Sequence, residues 1–251
     1  MLYPMNKLIG LGLTALDGDI GTVRDIYFDD QRWAVRYLVV ETGSWLQSRR
    51  VLISPVSIDS TDWQASTLHT RLTRQQVKGS PDVDTDQPLT RQHELDYLDY
   101  YGYPDYLSGA LLWGLTPHPV AASGDLKPYN RGEEARAEAH GDPHLRSHHE
   151  VSGYALEATD GPLGTLETFL IDHGSWAIRY VVIDTAQWWI GKHVVIPPQW
   201  ITRLAWAGAT ITVDVSRAAI RAAPEYRSDG EFLREDEAAL FSYYNRPDYW
   251  S

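Results

Sequence analysis

The sequence predicts a mainly β protein made of two tandem small β barrels, each followed by a short helical, aromatic-rich tail. Three observations lead there. The phrase "YYGYPDYL" at Tyr100–Leu107 returns as "YYNRPDYW" at Tyr243–Trp250, 143 residues later. The same offset aligns Asp17–Pro55 with Asp160–Pro198 without a gap, and 15 of the 39 positions are identical. Between turn signals run short stretches of β-branched and aromatic residues with period-2 alternation, the pattern of an all-β fold. A repeat this long, present in two copies, implies paired domains rather than a stacked solenoid.

Each copy opens on a turn. Asp17-Gly18 and Asp160-Gly161 are turn signals, and Gly21 and Gly164 follow three residues after each glycine. "GTVRDIYF" and "GTLETFLI" then read as strands, and the loops "DDQR" and "DHGS" lead into "WAVRYLVVET" and "WAIRYVVIDT". Trp33, Val35, Tyr37 and Val39 alternate onto one face, as do Trp176, Ile178, Tyr180 and Val182. The other face carries Leu38 and Val40 beside Arg36, so both sides are partly apolar, which favours a curled sheet or barrel over a flat one. "RRVLISP" and "KHVVIPP" make a third strand ended by proline, and "STLHTRL" and "ATITVDV" a further one. Short helical turns are expected at Thr73–Lys78 and Ser216–Ala222, with Ser216 as a cap. The tails contain a helix after Thr90 and its counterpart in "REDEAALFSYYN", stopped at Gly102 and Asn245.

These elements divide the chain into a first domain with its tail at 1–107, a partly docked linker at 108–144 and a second domain with its tail at 145–251. "ALLWGL" in the linker is too apolar to lie in water, so Leu111, Leu112 and Trp113 are expected to dock on a domain.

The β unit resembles the PRC-barrel family. The resemblance rests on the Asp-Gly-x-x-Gly turns at Asp17–Gly21 and Asp160–Gly164, the strands after them, and the cores "RYLVVETGSWL…RRVLISP" and "RYVVIDTAQWW…KHVVIPP". It implies two tandem small PRC-type β barrels in a bacterial-type protein, with no catalytic set. In the photosynthetic reaction-centre H subunit and in a ribosome-maturation protein, the family's module acts through protein association. No counterpart of the membrane anchor of the first or of the N-terminal domain of the second is recognised in this sequence.

Composition narrows the function classes. The 34 acidic and 22 basic residues give a formal charge of -12, which opposes direct binding along nucleic-acid phosphates. The chain has no cysteine, hence no disulfide, thiolate metal site or thiol nucleophile. No secretory leader or membrane-length apolar run is recognised, so a cytoplasmic protein without membrane insertion is expected.

Gly21 and Gly164 lack the residues that complete a phosphate-binding loop, and read as structural turns. His140, His144, His148 and His149 have a spacing compatible with metal ligation, but Gly141 and Pro143 interrupt any shared helix, and no metal is expected. Arg36/Arg179 and Glu41/Asp184 repeat opposite charges around one strand and read as structural. No catalytic residue and no cofactor are therefore assigned. The candidate interface residues are Trp45, Leu46, Trp188, Trp189, Tyr106, Tyr249 and Trp250, because aromatic groups beside short loops suit association surfaces. The function expected is a non-enzymatic structural or protein-interaction module, with a protein partner or self-association. The alternatives are a ribosome or RNA-processing accessory factor working through protein contacts, and a small-ligand-binding enzyme.

Overall fold

The computed structural model describes residues 1–81, 89–104, 112–113, 118–119, 144–185, 192–227 and 232–248. In chain order its strands are β1 (Leu2–Pro4), β2 (Gly12–Ala15), β3 (Gly18–Asp29), β4 (Ala34–Thr42), β5 (Arg50–Ile53), β6 (Ile58–Asp62), β7 (Thr67–Thr70), β8 (Leu145–Ser147), β9 (Ala155–Ala158), β10 (Gly161–Asp172), β11 (Ile178–Asp184), β12 (His193–Ile196), β13 (Ile201–Ala205) and β14 (Thr210–Val213). The helices are α1 (Arg74–Gly79), α2 (Arg91–Tyr101), α3 (His148–Val151), α4 (Arg217–Ala222) and α5 (Arg234–Tyr244).

The chain divides into two compact units, one of Lys7–Ser147 and one of Met1–Asn6 with His148–Ser251. Each holds one seven-stranded sheet. The first runs β5-β4-β3-β2-β7-β6, and the second runs β12-β11-β10-β9-β14-β13, the same order. The neighbours pair antiparallel, except that β2 with β7 and β9 with β14 are parallel. The seventh strand of each sheet comes from the start of the other repeat: β8 pairs β3, and β1 pairs β10.

The long strands β3 and β10 organise the sheets because bulges bend them past successive partners. In β3 the register shifts between Val23 and Asp25 and again between Tyr27 and Phe28. A bulge adds a residue on one strand, bending it and increasing its twist. At the bend, a Cβ on Gly21 would lie 2.0 Å from the Glu41 carbonyl oxygen, and one on Gly164 would lie 2.2 Å from that of Asp184. Only a residue without a side chain lets the backbones approach this closely. The turns before them place Gly18 and Gly161 at φ of 136° and 131°.

Both faces of β4 are buried along nearly its whole length, and Ile26, Phe28, Tyr37, Leu38 and Val40 are fully enclosed. Each such aliphatic side chain contributes about 1.5–3 kcal/mol of burial. Trp33 and Trp176 depart from the expected strand face. They sit in the preceding turns with φ of 52° and 56°, and the strands begin after them. Asp29 fixes the first turn by accepting from the amides of Gln31 (2.9 Å) and Arg32 (2.7 Å).

The expected pair of closed β barrels does not form. Both sheets are open, with β5 and β6 at the ends of one hydrogen-bonded path and β12 and β13 at the ends of the other. A barrel requires its end strands to pair with one another. The fold is also mixed α/β rather than mainly β, because helices supply core surface that closure would have supplied. Helix α2 places Leu95, Tyr97 and Leu98 in the interior, and α5 places Leu240 and Phe241 there. Thr90 caps α2 by accepting from the His93 amide, and Gly102 and Asn245 end α2 and α5 in the left-handed conformation.

Candidate functional site

The repeated acidic turns are joined to the helices. The Asp17 carboxylate accepts from the Arg74 amide at 2.7 Å, and Asp160 accepts from the Arg217 amide at 2.7 Å. A carboxylate there satisfies an amide that has no partner within the helix and suits the positive end of its dipole. Asp17 and Asp160 thus bind the first hairpin of each copy to α1 or α4.

Trp45 and Leu46 lie in a 3-10 turn, Ser44–Leu46, between β4 and β5, and both are half-buried. The Trp45 indole donates to the Ile20 carbonyl at 2.7 Å, and the Arg74 guanidinium lies 4.3 Å from its ring centre. The flat indole is therefore hydrogen-bonded on its edge and covered by a cation on its face. Arg49, just beyond, donates to the carbonyls of Ser80 (2.8 Å) and Pro81 (3.0 Å). Lys192 does the same in the second unit, donating to the Arg221 carbonyl at 3.1 Å and to that of Ala223. In both copies a basic side chain at the start of a strand satisfies carbonyls at the end of a short helix. The other candidate interface residues, Trp188, Trp189, Tyr106, Tyr249 and Trp250, lie outside the described residues, as do Leu111 and His140.

On the outer side of the tail helices stand Tyr100 and Tyr243, 43% and 40% exposed. Tyr100 Oη donates to the Gln76 carbonyl at 2.8 Å, and Tyr243 Oη donates to the Ala219 carbonyl at 2.8 Å. Each ring is held in place by its hydroxyl while much of its surface faces water. Tyr101 and Tyr244 pack beside them with ring centres 4.8 Å away in both copies.

Beneath this surface lies a repeated buried polar pair. Tyr37 Oη donates to Glu94 Oε1 at 3.1 Å, and Tyr180 Oη donates to Glu237 Oε2 at 2.8 Å. These pairs fasten the tail helix to β4 in the first unit and to β11 in the second. The neighbouring residue of β4, the enclosed Arg36, points to the opposite face, where it reaches Asp29 at 3.2 Å, donates to the Leu112 carbonyl at 2.9 Å and lies 5.1 Å from the Trp113 ring centre. Trp113 is only 2% exposed.

Burial alone would raise the Asp29 pKa, but the Arg36 charge and the amides of Arg32 and Gln31 outweigh it and hold the carboxyl below its ordinary value. Asp172 is likewise lowered: burial opposes the shift, and the Ser175 amide and hydroxyl, with Arg179, overcome it. Burial pushes the phenols of Tyr3, Tyr101, Tyr103 and Tyr244 upward, and that of Tyr226 to about 12, so these groups stay neutral near pH 7. None is tuned toward proton exchange near neutrality.

The histidines are used locally. His144 Nδ1 bonds Asp30 at 2.9 Å, and His148 Nε2 bonds Thr168 Oγ1 at 3.1 Å. Among the described residues no group of three or more His, Cys, Asp or Glu is placed to hold a metal ion. None of their helices is long and apolar enough to cross a membrane.

Comparison with known proteins identifies part of this architecture. Residues 4–66 match the PRC-barrel domain. The PRC-barrel match therefore takes in β2 to β6 and stops just before β7, leaving out α1, α2 and β8. The second unit repeats the strand order of the matched one. An uncharacterized protein of Deinococcus radiodurans is 34% identical over 89 residues, which are 35% of this chain; the chain spans 32% of that relative's length.

The sequence pattern marks Tyr37, Tyr180 and the helices of the tails, but not the pairing of these tyrosines with Glu94 and Glu237. The signal was present: Tyr37 and Glu94 are 57 residues apart, as are Tyr180 and Glu237. Asp17 and Arg74 share that separation, as do Asp160 and Arg217. The seat of Trp113 on Arg36 has no signature in the sequence pattern.

Proposed function

We propose that the chain is a non-enzymatic structural or protein-interaction module in which 145–251 is a second PRC-barrel-type domain following the first. It acts in the cytoplasm on a protein partner or on itself, not by direct nucleic-acid binding or membrane insertion. The observation that carries this reading is the pair Tyr100 and Tyr243, two large aromatic rings at equivalent places, exposed yet tethered by their hydroxyls. A tethered ring loses little conformational entropy on contact, which is why rigid aromatic side chains are favoured at association surfaces. Trp45, covered by Arg74 near the same helix as Gln76, extends this surface in the first copy. The acidic side chains that would otherwise invite a catalytic reading, Asp17, Asp29, Glu94 and their counterparts, are engaged in capping, ion pairing and helix docking. The charge of -12 suits a basic protein better than a polyphosphate surface.

The test compares the tagged full-length chain with the Tyr100→Ala/Tyr243→Ala double variant. Capture from the native cells at low and moderate salt, and sedimentation of the purified chain, read partner binding and self-association. The expected result is a stoichiometric protein partner, or a defined oligomer, that the double variant loses while its circular dichroism is unchanged. Association that is absent in the wild type, or indifferent to both substitutions, overturns the proposal. A ribosomal partner would direct the role toward ribosome maturation.

A further inference from the structure

The first strand of each repeat belongs to the sheet of the other. Leu2, Tyr3 and Pro4 pair with Asp172, Ile171 and Leu170. Leu145, Arg146 and Ser147 pair with Asp29, Phe28 and Tyr27. The register is identical once the 143-residue offset is applied, and so is the next hydrogen bond: the Asp30 amide donates to the His144 carbonyl at 2.9 Å, and the His173 amide donates to that of Met1 at 3.1 Å.

The side chains on these two arms are not interchangeable. The second arm is polar, and it meets acids. Arg146 bonds Asp30 at 3.0 Å, where the carboxylate side chain is only 4% exposed, and Ser147 Oγ donates to Asp25 at 2.5 Å. The first arm is apolar, and the corresponding positions opposite it are not acidic. Tyr3 lies edge-on to His173 with ring centres 6.0 Å apart, Pro4 stands where Ser147 stands, and Thr168 replaces Asp25. Were each arm to lie on the sheet of its own repeat in the same register, Pro4 would cover Asp25 with no donor in place of the Ser147 hydroxyl, and the neutral Tyr3 side chain would face Asp30 in place of the Arg146 cation. Arg146 would meet a histidine in place of a carboxylate. An acid that is covered while losing a donor or its countercharge is not repaid for its lost hydration, so the unexchanged arrangement is disfavoured at two positions.

We propose that the arms are a recognition device: the two halves of the chain hold each other by exchanging first strands, and Asp25 and Asp30 select the polar arm for the first sheet. The partner fitted by the free flank of β3 is thus the strand that opens the second repeat, and the partner fitted by β10 is the strand that opens the first. This association requires no peptide linkage between the halves and does not depend on any outside protein.

The experiment uses the full chain with a protease site inserted between Gly124 and Asp125 in the connecting sequence. After cutting, the wild type is expected to sediment as one species with the mass of the uncut chain. Arg146→Glu sets two carboxylates against each other and is expected to weaken the cut pair by roughly tenfold or more. Asp30→Arg combined with Arg146→Glu restores an ion pair of opposite polarity and is expected to recover most of that loss, which separates lost recognition from lost folding. Separation of the cut wild type into two fragments overturns the proposal. So does an affinity unmoved by Arg146→Glu, or a double variant as weak as the single one.

Discussion

Arg36 and Arg179 occupy the same place on equivalent strands of the two sheets, β4 and β11. Arg36 is sealed from water, with Asp29 beside it and Trp113 over it. Arg179 is half-buried. The aromatic packing differs in parallel. In the first unit Tyr97 stands edge-on to Tyr37, packs against Tyr101 and Tyr103, and accepts from the Ser54 amide on its hydroxyl oxygen at 2.9 Å. In the second, Leu240 takes the place of Tyr97, and Trp200 packs against Phe241 and Tyr244 with Arg246 4.7 Å from its ring centre. The two copies keep the connections between elements and change what fills the space between them. Cores accept such exchange as long as volume and polarity are matched locally.

Four substitution experiments and one titration sharpen or break this comparison. The largest effect is expected at the shared backbone crossing. Gly21→Val and Gly164→Val each force a side chain into a carbonyl, costing upwards of about 4 kcal/mol, since neither strand can yield without losing its ladder. Urea unfolding of the two variants checks it, and similar losses would show that the crossings are equivalent.

Next is the ion pair. Asp29→Ala leaves Arg36 enclosed without its carboxylate and is expected to cost about 3–5 kcal/mol. Asp172→Ala, near the half-buried Arg179, should cost clearly less. Hydrogen exchange resolved by peptide assigns each loss to its own sheet, and equal losses would remove the distinction drawn between the copies.

Tyr37→Phe and Tyr180→Phe remove the donor to a buried glutamate and should each cost about 1–3 kcal/mol. Because both pairs have the same form, the two numbers should agree within experimental scatter in thermal unfolding.

The acid limb has a defined sign. The Asp29 and Asp172 carboxyls are lowered in the folded state relative to an unfolded value of about 3.9. Their contribution is therefore present above pH ~4 and is lost as pH falls through the folded values. Asp29→Asn should flatten the fall in stability below pH ~4, measured as urea midpoints across that range. At the other end, the raised tyrosine values mean that their contribution is present below pH ~10 and is lost above it.

The smallest effect is expected at the surface. Trp45→Ala removes a half-buried ring and its Arg74 contact. Its direct cation contact contributes about 0.5–1 kcal/mol, so a stability change much larger than the loss of partly exposed ring area would mark Trp45 as core rather than contact surface.

Much of the local structure was legible because local chemistry dictates it. Asp-Gly pairs form the turns, Thr90 and Ser216 offer hydroxyls to orphan amides, and alternating apolar residues mark β4 and β11. Trp33 and Trp176 escaped because a tryptophan at positive φ leaves no trace in a hydropathy pattern; the turn around Asp29 or Asp172 imposes it. Closure escaped as well. Alternation states which face of a strand is buried, but not whether another strand or a helix buries it, and here α2 and α5 do.

By itself the sequence determined that the chain carries one architecture twice, since an offset of 143 residues preserves turns, strands and helix ends together. It marked Gly21 and Gly164 as structural turns, and the tertiary structure showed them as places where backbone approaches backbone. Only the tertiary structure decided that the sheets stay open, that Trp113 seals Arg36, and that β1 and β8 change places. The reason is that these outcomes depend on competition between distant segments for the same surface. Two copies of a strand compete for either sheet, and the choice falls to residues such as Pro4, which has no amide donor where Ser147 has one, and to Asp30 and Arg146, which meet only after the chain has folded.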